Sequence, residues 1–222
     1  MILILGACKG GGALLVDWDK SYVSGTDEIK KLVLLDPTVA YVEGDMSSTY
    51  IEEKARQKLR YIDLIKSAAN RNSLQLDVMY TEDLTDKDNI WFNTLAALES
   101  HLGLMNAYQN VNIEKVRKSG YSRPPSRYAE SLPILDPKYA ELSDRLGTPY
   151  VGNSICLIIN KSPERLDKGR AILFNLIVNV ETGKTIFREI RLLPGFPTDD
   201  RLTGVLYDSF NILTHPKRLN SL

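Results

Sequence analysis

The residues of this chain best placed to do chemistry stand near its start. Gly6-x-x-x-Gly10-x-Gly12 follows the apolar run Ile2-Leu-Ile-Leu5. Glycines so spaced after a strand let the backbone approach a pyrophosphate at a helix N-terminus. Asp36 ends a second apolar run, Leu32-Val-Leu-Leu35, roughly twenty residues further on, where a dinucleotide site keeps the carboxylate that takes the ribose hydroxyls. Cys8 lies within the same glycine segment, in Leu5-Gly-Ala-Cys8. Cys156, inside an apolar strand, is expected to be a buried, inert thiol, and the two cysteines compose neither a disulfide framework nor a zinc ligand set. Lys115, Arg117, Lys118, Arg123 and Arg127, interleaved with Tyr121 and Tyr128, form a basic-aromatic stretch suited to phosphates, a peptidoglycan carboxylate or an acidic partner. Asp45, Glu82, Asp83 and Asp86 fall near strand ends, where α/β sites form. His101, beside an apolar helical stripe, and His215, before Pro216, have no second ligand at metal spacing. No Gly-x-Ser-x-Gly, His-Glu-x-x-His or Walker loop is present.

The first twelve residues admit two readings. Leu5-Gly-Ala-Cys8 resembles a bacterial lipobox, a tetrapeptide whose cysteine is lipidated and becomes the mature N-terminus. On that reading residues 1–25 are a lipobox-like N-terminus and tether, with Lys9 to Gly12 as its flexible start and no cofactor. The alternative is a nicotinamide-dependent oxidoreductase similar to short-chain dehydrogenases, with Gly6, Gly10, Gly12 and Asp36 touching the cofactor and Val42-Glu-Gly-Asp45 ending a third strand. That reading needs a crossover helix after Gly12, and Ala13 to Gly25 carries little apolar stripe. Its Tyr-x-x-x-Lys occurs only as Tyr50 to Lys54, early for such an active site.

With 222 residues the chain can bury a sizeable core, and residues 26–222 are expected to make a single domain. Its 28 basic residues are matched by 28 acidic ones, so no global field favours nucleic acid. No apolar run reaches the ~18 residues that a membrane-crossing helix requires.

Positioning elements follow from periodicity. Lys31 to Leu35 and Val39 to Val42 read as extended pieces around Asp36-Pro37. Thr49-Tyr-Ile-Glu52 is a capping box, and Ile51, Ala55, Leu59, Ile62, Ile65 and Ala69 predict a helix with one buried stripe. Leu74 to Tyr80 alternates as a strand, Asn89 to about Tyr108 is helical, and residues 114–136 lose periodicity and form an irregular basic loop. A short helix ends on Gly147. Then come three strands, Pro149 to Ile159, Ala171 to Val180 and Thr185 to Leu192. Ile172, Phe174, Leu176, Val178 and Val180 lie on one face of the second of these, predicting one buried side. Gly183 supplies positive φ for the hairpin. Thr198-Asp-Asp200 caps a last helix, with Leu202, Val205, Leu206, Phe210 and Leu213 on its apolar face. The expected fold is therefore α/β: helices packed on a mixed sheet that ends in a C-terminal antiparallel meander.

Arg145-Leu-Gly147, Thr-Pro-Tyr-Val-Gly152 and Asn179-Val-Glu-Thr-Gly-Lys184 followed by Thr-Ile-Phe-Arg form a pattern similar to that of the TolB amino-terminal-domain-like group. This group includes peptidoglycan-synthase activator lipoproteins and the curli secretion lipoprotein. Pro149 and Asn179 stand where that pattern carries acidic residues. The resemblance implies a non-enzymatic envelope lipoprotein, anchored through lipidated Cys8 to the outer membrane and facing the periplasm. Its partner would be an envelope protein or peptidoglycan.

Overall fold

The computed structural model describes residues 14–18, 28–42, 48–80, 140–159, 170–194 and 198–215. In chain order the elements are β1 (Leu14–Trp18), β2 (Lys31–Leu35), β3 (Thr38–Val42), α1 (Ser48–Arg71), β4 (Gln75–Met79), α2 (Ala140–Leu146), β5 (Tyr150–Ile159), β6 (Arg170–Asn179), β7 (Lys184–Pro194) and α3 (Asp199–Thr214). All seven strands join one mixed sheet, ordered β1-β7-β6-β5-β2-β4, with β3 also on β5. β5, β6, β7 and β1 pair antiparallel, whereas β2, β3 and β4 run parallel to their neighbours. The mixed α/β architecture and the antiparallel meander are as the sequence predicts.

β2 and β3 are one strand path broken at Asp36-Pro37. Val33 and Leu34 pair with Val151 and Gly152, and Thr38 to Val42 resumes along Ile155 to Ile159. Asp36 takes φ +40 at this jog, an unusual value for a residue with a Cβ. Buried Asn153 covers the break by donating its amide to the Leu35 carbonyl at 2.8 Å. Each backbone group released where the pairing lapses needs another partner, and this side chain supplies one.

The hairpin between β6 and β7 is set locally. Asn179 Oδ1 accepts the N–H groups of Glu181 and Thr182, and Gly183 sits at φ +68. An amide oxygen performs this turn's acceptor role as an aspartate would. α2 ends on Gly147 at φ +63, and Lys31 Nζ donates to the Leu146 carbonyl at 2.7 Å, placing a cation at the negative end of that short helix.

α1 and α3 pack on one face of the sheet. Tyr61, Ile65, Ala68 and Ala69 of α1 and Leu202, Leu206, Phe210 and Leu213 of α3 meet Leu34, Val39, Cys156, Leu173, Ile177 and Phe187. Two expectations about burial are corrected. The α1 stripe was expected to include Ala55 and Leu59, yet Ala55 is exposed and Leu59 is 61% exposed. The buried arc instead runs through Tyr61, Ile62, Ile65, Ala68, Ala69 and Asn72, which puts Leu59 on the opposite flank of the helix. β6 was expected to bury one face, but Ala171 to Val178 is buried throughout. A central strand covered on both sides carries apolar residues at every position rather than at alternate ones.

Leu14–Trp18, expected within the N-terminal tether, forms edge strand β1 against β7, with Leu14 opposite Arg191 and Trp18 opposite Phe187. This has a consequence for the oxidoreductase alternative. A dinucleotide fold needs a helix after its glycines and a second crossover helix between its next two strands. Here a strand follows the glycines, and β2 passes into β3 across two residues without changing direction. Gly6, Gly10 and Gly12 themselves lie outside the described residues.

Candidate functional site

One polar row crosses the otherwise apolar helix-facing side of the sheet. Ser154 of β5 stands opposite Asn175 of β6, and Asn175 stands opposite Glu189 of β7. Tyr61 reaches down from α1 to the first of them. All four are buried, and Glu189 is 0% exposed.

The hydrogen bonds of this row run in one direction. Ser154 Oγ donates to Asn175 Oδ1 at 2.6 Å, using its only proton. Tyr61 is 2.7 Å from the same hydroxyl and therefore donates to it. Asn175 Nδ2 donates to Glu189 Oε2 at 2.8 Å. Arg191 closes the row by donating to Glu189 Oε1 from Nε at 2.9 Å and from its terminal nitrogen at 2.7 Å. Every proton points toward the Glu189 carboxylate, which also fixes the amide orientation of Asn175, since the flipped amide would set oxygen against oxygen. Arg191 continues to Asp208 of α3 at 3.6 Å, a rim contact with an exposed partner. The chain of bonds thus ties α1, three strands and α3 to a single arrangement. With both Glu189 oxygens occupied and water excluded, it holds a register; it does not present a group to a substrate.

Burial pushes the Tyr61 phenol well above its usual range, with neighbouring Cys156 and Glu189 adding to the rise and the Ser154 bond opposing it. Burial alone pushes the Cys156 thiol from 9.0 up to about 12. Cys156 is thus the buried, inert cysteine expected from sequence. Both folded values exceed the unfolded ones, so the protonated forms stabilise the fold; for Cys156 that contribution is full below pH 9.0 and is lost as pH rises through the folded value of about 12. Native protein at pH 8 should leave Cys156 unmodified by a thiol-specific disulfide reagent, with reaction appearing only in denaturant. Rapid native labelling at this position would contradict the burial.

A second cluster sits at the carboxyl end of β2. Lys58 Nζ, on the sheet side of α1, lies 2.7 Å from Asp36 Oδ1 and 5.9 Å from the centroid of the Tyr80 ring. Asp36 is the carboxylate that the oxidoreductase reading assigns to ribose. In the fold it is neutralised by a cation from α1 while its backbone N–H bonds Met79 O at 2.8 Å. The pair pins α1 to the β2 and β4 ends, and no spacing in the sequence links Lys58 to Asp36, twenty-two positions away.

Two concavities lie among the described residues. A shallow, open groove of about 440 Å³ runs between Arg71 and the outer side of α3, along Asp200, Gly204, Tyr207 and Asp208. Beneath α1, a void of about 10 Å³ lies against Tyr61, Leu64, Cys156 and Leu202, at most the room of one water. Neither contains a nucleophile beside a base, and among the described residues no group of His, Cys, Asp and Glu could hold a metal ion. No described helix is long and apolar enough to cross a membrane.

Of the residues singled out from sequence, Cys8, His101 and the basic-aromatic set Lys115, Arg117, Lys118, Tyr121, Arg123, Arg127 and Tyr128 lie outside the described residues, as do Asp45, Glu82, Asp83 and Asp86. The Tyr61, Ser154, Asn175 and Glu189 row was missed. The signal the sequence offered was Asn175, the one polar residue within Ala171 to Val178; Ser154 adjoins Asn153 and Glu189 adjoins Arg188, so neither stands out alone.

No protein-family model matches the chain, and no curated protein matches it. Solved structures similar to it include a point variant of the PelC dodecamer from Paraburkholderia phytofirmans, at 7% identity and TM-score 0.43, covering 92% of this chain and 99% of that one. Another is the LpoB C-terminal domain from Salmonella enterica, at 14% identity and TM-score 0.28, covering 78% of this chain and 93% of that one. A third is the lipoprotein GNA1162 from Neisseria meningitidis, at 10% identity and TM-score 0.31, covering 87% of this chain and 99% of that one. At these identities and TM-scores the likenesses carry nothing about this chain's chemistry.

Proposed function

We propose that this chain is a non-enzymatic, lipid-anchored module of the bacterial cell envelope, acylated at Cys8 and standing on the outer membrane toward the periplasm. It acts by contact with another envelope component. The observation that carries the reading is the lipobox-like Leu5-Gly-Ala-Cys8, which in sequence ends six positions before strand β1 begins at Leu14. In the domain beyond it, Tyr61, Ser154, Asn175, Glu189 and Arg191 bond one another and offer no group to a substrate. Such a module needs a stable attachment, and one acyl chain alone holds a protein only marginally, so several chains on Cys8 are part of the proposal. The partner contact falls to the basic-aromatic stretch, Lys115, Arg117, Lys118, Tyr121, Arg123, Arg127 and Tyr128, whose charge suits an acidic protein surface or a peptidoglycan carboxylate.

The test is the intact mass and membrane partition of the protein expressed from its native locus with its upstream DNA, beside Cys8→Ala. Acylated protein beginning at Cys8, found with the membranes and released by the substitution, is the expected result. Soluble protein that keeps Met1 to Ala7 would overturn the reading.

A further inference from the structure

α3 carries a glycine that its own fold does not require. Gly204 lies inside the helix Asp199–Thr214, is exposed, and an added Cβ there meets nothing within 4 Å. Neither a positive φ nor a close approach within the chain calls for glycine at this position, and inside a helix only proline is a poorer helix former. What the missing side chain does provide is bare helix backbone, on which a second helix can rest closely.

The charges around Gly204 match those of a second copy of the same surface. At ~100° per residue, Arg201 and Asp208 fall on one flank of Gly204, and Asp200 and Tyr207 on the other. Asp199, which pairs with Arg60 of α1, lies toward the second flank, and Asn72 of α1 donates to the Tyr207 carbonyl at 3.1 Å. Arg71 therefore borders the second flank at its Tyr207 end, in the groove it shares with α3. Arg71, Asp200, Tyr207 and Asp208 are all exposed.

A two-fold axis at Gly204, perpendicular to the helix, brings like flanks of two helices together with their directions opposed. Arg201 then meets Asp208 of the other copy, while Asp200 meets Arg71 and Tyr207 of the other copy. Each contact is made twice, as an isologous interface requires. Opposed helices also set each positive helix start beside a negative helix end. A parallel pair would set Asp200 against Arg201 and Arg71 against Asp208, without that dipole alignment.

We propose that the outer face of α3 from Asp200 to Asp208, together with Arg71, is the docking surface for a second copy of this chain, the two α3 helices lying antiparallel and crossing at Gly204. The pairing does not depend on lipidation at Cys8.

Sedimentation equilibrium of the full-length, unacylated protein in reductant tests it. Contact along one helix face belongs with small, transient interfaces, so a monomer–dimer equilibrium is expected between ~10 µM and ~1 mM. Gly204→Ala puts two extra methyl groups at the crossing and should raise the dissociation constant at least about tenfold. Its urea midpoint, read where both proteins are monomers, should rise, so the weaker pairing is not a loss of folding. Arg71→Glu and Asp200→Lys each set like charges together and should each weaken self-association. An equimolar mixture of these two variants should pair as well as the original chain, because every such contact in the mixed dimer is again opposite in charge. Original protein that stays monomeric at ~1 mM, or a Gly204→Ala dissociation constant within about twofold of it, overturns the docking surface. A mixture that associates no better than its two components overturns the antiparallel arrangement.

Discussion

Glu189→Ala is expected to destabilise the fold by about 3–5 kcal/mol, because it removes one partner of a buried ion pair and strands the other. Arg191 would lose both of its short bonds to Glu189 Oε1, and Asn175 would lose the acceptor for its amide. A domain of this size loses ~2–4 °C of Tm per kcal/mol, so a drop of roughly 10 °C should be seen in thermal melts. The control is Glu181→Ala, whose carboxylate lies on the exposed hairpin turn and accepts one bond from Ser143. Loss of one such hydrogen bond costs only ~0.5–1.5 kcal/mol. Replacing Glu189, Arg191 and Asn175 together by apolar residues should recover much of the loss, since a buried pair exchanged for well-packed side chains is often neutral. A Glu189→Ala loss no larger than that of the control would show that the row does not hold the sheet as described.

The same glycine-to-alanine change should have opposite signs at two positions. A Cβ at Gly152 would lie 2.7 Å from the Leu176 carbonyl oxygen and 3.1 Å from both Ile177 Cγ1 and Leu34 Cδ2. Gly152 is where β5 is flanked at once by β2 and β6, so the obstacle on one side is backbone and strands must part to relieve it. Gly152→Ala is expected to cost about 1–3 kcal/mol, the range of overpacking in a core, and Gly152→Val to prevent recovery of folded protein. At Gly204, on the open side of α3, an added Cβ meets nothing within 4 Å. There alanine removes backbone freedom from the unfolded chain and should stabilise by about 0.5–1 kcal/mol. Urea midpoints of the two variants should move in opposite directions. A stabilised Gly152→Ala would mean that the three strands are not packed so closely.

Local rules wrote much of this fold into the chain. Gly147 and Gly183 have the positive φ their turn positions demand, and the hairpin acceptor at Asn179 is a short-range event. The meander of β5, β6 and β7 follows from three β-rich runs joined by polar segments, and the apolar face of α3 from helical spacing. Each depends on residues a few positions apart, where sequence and geometry are tightly coupled.

Three features depended on contacts the sequence does not order. Lys58 looks like surface charge until the jog at Asp36 brings a carboxylate beneath it. β1 looks like tether until β7 offers an edge. The polar row rests on a bulge: Val178 pairs with Thr185 but Ile177 with Phe187, so Ile186 is the extra residue in β7. Counting back from the turn without it would set Asn175 against Arg188 and send Glu189 to the other face of the sheet. Side chains alternate with a period of two, so a single inserted residue inverts every assignment beyond it. The sequence by itself determined the meander strands β5, β6 and β7, the presence of α1 and α3, and the turns at Gly147 and Gly183. Only the tertiary structure decided the register that brings Ser154, Asn175 and Glu189 into line, because a one-residue shift is settled by the packing of Ile186 and Phe187 together against the helices, not by any local signal.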